Sequence, residues 1–165
     1  MNIKVHRGFD QIGGCITEIS TETSRVFIDF GQNLPGNGEP TTPEEDEALV
    51  THILAQNKKQ HEAVFYTHGH EDHVGLFEYI PEYVPQYMSE GTKGLLKIKY
   101  DVLYEGANLK VNQLLDIGCD SQEYSDAINN LLYADNKCKL LNKIQVWKRT
   151  SPRKIPESIC IGDIM

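Results

Sequence analysis

Apolar and polar residues alternate through most of the first thirty positions. Ile3 and Val5 stand against Lys4 and His6, the period of a half-buried strand, and Gly8 breaks it. Gly13-Gly14 is a turn signal, and from Cys15 the alternation resumes to Ile19. Thr21 to Ser24 is polar, and Arg25-Val26-Phe27-Ile28-Asp29-Phe30 then reads as a dense, buried strand ending at Gly31. Three strands joined by short turns predict an antiparallel meander.

The period changes after a Pro- and Gly-rich loop over 32–40. Thr42 is placed to cap a helix, Pro43 suits its first position, and Glu45 completes a capping box. Leu49, Val50, Ile53 and Leu54 form its apolar stripe. Ala63 to Tyr66 is a second buried strand, so strand, helix and strand predict a βαβ unit. Val74 to Tyr79 reads as a short helix that Pro81 ends, and Val84 to Met88 as a strand. Ser89 caps a long helix to about Tyr104, and Leu109–Ile117 and Tyr124–Tyr133 also read as helical. Leu140–Trp147 and Ser158–Ile161 are strand-like. The expected class is α/β (α+β), with residues 1–165 as a single domain.

Composition narrows the class. Hydrophobic residues make up 39% and charged residues 24%, ordinary for a soluble globular protein. No apolar run approaches the ~20 residues of a membrane span, and the N-terminus lacks the apolar core of a signal peptide. Cys15, Cys119, Cys138 and Cys160 are widely spaced, which reads as reduced thiols of a cytoplasmic protein. The net charge of −8 implies no general affinity for nucleic acid.

Two charge runs stand out. The five acids between Glu39 and Glu47 lie around a helix start, where the dipole accounts for them better than a metal site would. Lys137, Lys139, Lys143, Lys148, Arg149, Arg153 and Lys154 form an acid-free basic run. It is either a patch for phosphate backbones or a solvated face, the latter being preferred. His52 and His61 read as surface histidines.

The chemistry concentrates in Thr67-His68-Gly69-His70-Glu71-Asp72-His73, between a strand and a helix start. Imidazole and carboxylate together suit zinc, iron or manganese. Alternate residues of an extended loop point the same way, so His68 and His70 can bind one ion. Asp72 and His73 lie at the turn into the helix and point to a neighbouring position. Two metals there could share a water, acidified toward neutral pH and made nucleophilic. Asp29, at the end of an apolar strand, is either a turn aspartate or a buried carboxylate with a partner.

The stretch Thr67 to Gly75 resembles the HxHxDH motif of the metallo-β-lactamase superfamily. Gln11-Ile12-Gly13-Gly14-Cys15 and Val26 to Gly31 resemble the opening strands of its ribonuclease J-like, RNA-processing branch, and Pro85 to Ser89 resembles the strand-to-helix passage after the motif. The likeness covers about residues 1–95. It implies an αβ/βα sandwich with a hydrolytic metal site at the edge of its sheets, holding zinc as one or two ions, with manganese or iron as alternatives. It implies His68 and His70 on the first metal and Asp72 and His73 on the second. Asp72 also takes a catalytic role, and Asp29 supports the loop from behind. The upstream match favours a phosphodiester substrate, RNA or a nucleotide.

The family completes its site with a later His, a bridging Asp and a final His. None of the 92 residues after His73 is histidine, and Asp163 is the late aspartate nearest to the pattern. The expectation is therefore the N-terminal portion of the fold, incomplete and impaired or inactive as this chain. An apolar sheet face would be left for a homodimer or a complementing chain to cover. The alternatives are a non-catalytic binding or assembly module and a small-molecule thioester or lactam hydrolase.

Overall fold

The computed structural model describes residues 1–34, 41–118, 121–147 and 160–164. The chain is mixed α/β, and the described residues form a six-stranded sheet and four α-helices. It divides into two compact units, Met1–Thr92 with Ile144–Met165, and Lys93–Lys143.

The first unit holds the sheet. Strands β1 (Asn2–Arg7), β2 (Ile16–Ser20) and β3 (Ser24–Ile28) form the predicted antiparallel meander, with Glu18 opposite Phe27. Helix α1 (Pro43–Ala55) then carries the chain to β4 (His61–Tyr66), parallel to β3, which completes the βαβ unit. Strands β5 (Gln86–Ser89) and β6 (Gln145–Trp147) extend the sheet in parallel. The strand order follows the chain order.

Helix α1 starts as its sequence dictates. The Thr42 hydroxyl accepts from the Glu45 amide, the Glu45 carboxylate accepts from the Thr42 amide, and Pro43 opens the first turn. Its acidic start is not all solvated, because Asp46 is buried and accepts from the Thr41 hydroxyl at 2.9 Å. The other end meets Arg25, whose guanidinium is wholly buried. Arg25 pairs with Glu62 at 2.6 Å and donates to the carbonyls of Leu54 and Gln56. A fixed cation thus closes the negative end of the helix dipole and ties α1 to one face of the sheet.

The opposite face carries Val26 and Ala63, with Ile19, Phe65 and Tyr87 packed around them. Ile161 and Ile164 lie on this patch, so the segment 160–164 covers part of the face that the sequence leaves open. Towards the β1 edge Ile3 and Val5 are exposed, and Trp147 on β6 is partly so.

The second unit contains most of α3 (Glu90–Asp116) and α4 (Gln122–Lys143). Val111, Leu114 and Ala127 form its small core. Three expectations are corrected here. The helices predicted to Tyr104 and from Leu109 are one continuous helix, because the single Gly106 costs only about 1 kcal/mol in a helix interior. The strand expected over Leu140–Trp147 is helical through Lys143, since Leu141 continues the buried seven-residue series of Ala127 and Ala134; only Gln145–Trp147 is extended. Lys137, read as part of a solvated face or phosphate patch, is buried. Lys148, Arg149, Arg153, Lys154, Cys119 and the first half of the strand expected over Ser158–Ile161 lie outside the described residues. No helix among the described residues is long and apolar enough to cross a membrane.

Candidate metal centre

Strands β3 and β4 run in parallel and end side by side, which brings Asp29 to the start of the histidine loop. The Asp29 amide donates to the Phe65 carbonyl at 2.9 Å. At Asp29 the chain turns with φ of 64°, a left-handed conformation that Asp and Asn adopt more readily than other side chains. Helix α2 (Glu71–Val74) is a single turn that presents Asp72 and His73.

Backbone bonds hold this turn from behind. The carbonyls of Glu71, Asp72 and His73 accept from the amides of Gln32, Cys15 and Phe30, at 2.8, 3.0 and 2.9 Å. The contact is close enough to demand glycine at position 31, where an added Cβ would lie 1.7 Å from the Asp72 carbonyl oxygen. Arg7 donates to the carbonyls of Gly14 and Gly31, fixing the two turns that flank the loop. Gly31, Arg7 and Cys15 therefore position the site; Gly31 and Cys15 lie in the stretches that carry the resemblance, whereas nothing in the sequence singled out Arg7. The Cys15 thiol is pushed up by burial and then by the charges of Asp29 and Asp72, which keeps it protonated.

Asp29 is buried, and three donors surround its carboxylate. The Thr67 amide reaches Oδ1 at 2.8 Å, the Thr67 hydroxyl reaches Oδ2 at 2.8 Å, and His73 Nδ1 reaches Oδ2 at 2.8 Å. The paired-carboxylate reading of Asp29 is the one realised, and the turn role holds as well. An ionised carboxylate only accepts, so His73 donates from Nδ1, and Nε2 is the nitrogen that faces away from Asp29. That nitrogen lies 3.5 Å from Asp72 Oδ2. Nearby, Tyr66 is fully buried, and its hydroxyl is held well above its ordinary pKa by burial and then by Asp29; it donates to Gln86 at 2.6 Å.

The remaining histidines stand together. The His68 and His70 rings are 4.6 Å apart at their centroids, and those of His68 and His73 are 4.0 Å apart. His68 Nε2 and His70 Nδ1 approach to 3.1 Å. Two imidazole nitrogens on one tetrahedral zinc lie about 3.3 Å apart, given Zn–N bonds of about 2.0–2.1 Å. The nitrogen spacing of His68 and His70 and the donor types of the loop fit a transition metal. Among the described residues no three His, Cys, Asp or Glu side chains close into a ready ligand cluster, so the convergence is pairwise.

The structure does not bring every candidate here. Asp163 lies at the other end of the sheet, where it accepts from the Thr21 hydroxyl at 2.7 Å and from the hydroxyl of Ser24, which holds its carboxyl at about 2. Ser24 opens β3 and Asp29 follows its last residue, a separation of about 16 Å along a strand. His52 and His61 are exposed and away from the loop, as expected from their positions.

No protein-family model matches the chain. It is similar to transcription termination factor FttA of Thermococcus kodakarensis, with 29% identity over 97 residues, 55% of this chain and 15% of that protein. It is similar also to transcription termination factor FttA of Pyrococcus abyssi, with 28% identity over 95 residues, 54% of this chain and 14% of that protein. The matched region thus spans about one seventh of the length of these curated relatives. Among solved structures, a protein of unknown function from Enterococcus faecalis V583 is similar at a TM-score of 0.49 and 28% identity, over 60% of this chain and 28% of that one.

Proposed function

We propose that the 67–73 loop with Asp29 forms part of a metal-dependent hydrolase centre of the metallo-β-lactamase type, and that its substrate is a phosphodiester of RNA or a nucleotide. The observation that carries this reading is the pairing of His68 Nε2 with His70 Nδ1 at 3.1 Å, beside a His73 whose tautomer Asp29 sets. The name of the two relatives, transcription termination factor, supports a nucleic-acid context.

In this reading His68 and His70 hold one zinc ion, with manganese or iron as alternatives, and His73 and Asp72 hold a second. The metal supplies a water acidified toward neutral pH. The protein's own part is to aim the ligand lone pairs. Asp29 fixes His73, and the strand amides of Cys15, Phe30 and Gln32 hold the turn that presents Asp72. Asp72 is the carboxylate placed to accept a proton beside the ions. Two protein ligands per ion are fewer than the three of an ordinary catalytic zinc, so turnover by this chain is expected to be slow.

The pairwise arrangement of the donors favours one second reading, a binding or assembly module without catalysis. Hydrolysis of a generic phosphodiester with added manganese separates the two. The hydrolase reading expects slow, metal-dependent turnover that Asp72→Asn abolishes. No metal-dependent turnover by the intact chain would leave the module.

A further inference from the structure

The Thr67 hydroxyl stands between Asp29 and His68. Its oxygen lies 2.8 Å from Asp29 Oδ2 and 3.0 Å from His68 Nδ1. A hydroxyl has one proton to give and lone pairs to receive with. The buried carboxylate only accepts, so that proton goes to Asp29, and Thr67 must accept from His68. His68 then carries its hydrogen on Nδ1. Its Nε2 is left as a lone pair, and Nε2 is the nitrogen 3.1 Å from His70 Nδ1.

From this geometry we infer that Thr67 is a positioning residue, relaying the Asp29 charge to His68 so that Nε2 faces the ion. One buried carboxylate thereby sets two ring tautomers, that of His73 directly and that of His68 through a hydroxyl. The arrangement also locks rotation of the His68 ring, because turning the ring over would place a carbon against the Thr67 oxygen. The Thr67 amide, donating to Asp29 Oδ1 at 2.8 Å, holds the same residue from its backbone side. That bond survives replacement of the side chain, so the loop keeps its anchor when the hydroxyl is lost. Thr67 is itself exposed, and its replacement opens no cavity in the core.

The role rests on the metal-centre reading, and two measurements keep the two apart. The first is the nitrogen-15 spectrum of the histidines in the metal-free chain, with the His68 signals assigned by their loss in His68→Asn. It expects the Nδ1-protonated form in the wild type and in Thr67→Ser, and a mixture of tautomers in Thr67→Val. The second is zinc titration by calorimetry. Loss of an outer hydrogen-bond partner weakens metal affinity about 10–100-fold, which is the loss expected for Thr67→Val, with Thr67→Ser restoring wild-type affinity. A wild-type His68 protonated on Nε2, or a Thr67→Val chain that binds zinc as tightly as wild type, would overturn the role. Failure of the wild type to bind zinc would overturn the metal-centre reading, with the tautomer assignment still decided by the spectrum.

Discussion

His73 Nδ1 lies 2.8 Å from Asp29 Oδ2, a contact that spans 44 residues of sequence and joins the residue after β3 to the α2 turn. It makes the buried end of β3 part of the histidine loop. Asp29→Asn tests it with little disturbance, because Asn also tolerates the left-handed backbone found there. The amide can present its NH2 to His73 and so loses the constraint on the tautomer. Zinc affinity measured by calorimetry is expected to fall about 10–100-fold while the far-ultraviolet circular dichroism stays unchanged.

Gly31 is the point where β3's continuation touches the α2 turn. Gly31→Ala drives a methyl group into the Asp72 carbonyl and forces the two segments apart. Urea unfolding is expected to report a loss of about 3 kcal/mol, with the slope unchanged.

Arg25 offers a test of the scaffold away from the site. It is wholly buried, paired with Glu62, and bonded to the last carbonyls of α1. Arg25→Met leaves Glu62 and those carbonyls without their partner. A loss of about 3–5 kcal/mol in urea unfolding is expected, far above that of an exposed pair such as Lys97 with Asp101.

His6 gives a pH dependence opposite to that of a simple ion pair. It meets Glu18 at 2.9 Å, and Lys4 and Arg25 also act on it. Burial is the largest influence and lowers its pKa, outweighing the pull of Glu18. The unfolded chain then binds the proton more readily than the folded one. The neutral ring's contribution is present above about pH 6.5 and declines as the pH falls below it. The stability difference between wild type and His6→Gln, measured by urea unfolding at pH 7.5 and 5.5, is expected to shrink at the lower pH. A difference that grew would mean that Glu18 prevails.

Much of the sheet was legible because its signals are local. The alternation around Ile3 and Ile19, the dense apolar run around Val26 and the capping box at Thr42 each lie within a few residues. The ligand candidates His68, His70, Asp72 and His73 were legible for the same reason. What escaped is long-range. The hydrogen bond of Thr67 to Asp29 spans 38 residues, and the need for glycine at position 31 exists only because the Asp72 carbonyl approaches it. Misread elements have a similar origin. Glu105-Gly106-Ala107-Asn108 looks like a break, yet the helix continues through it, and Lys143 ends a helix where the apolar residues alone suggested a strand.

The most direct measurement is the metal content of the protein purified without chelator, set against a His68→Ala variant prepared in the same way. The expected result is zinc or manganese bound to the wild type and largely lost from the variant, with both chains folded by circular dichroism. Equal metal content in the two, or none in either after incubation with excess zinc, would contradict the assignment of the 67–73 loop as a metal centre.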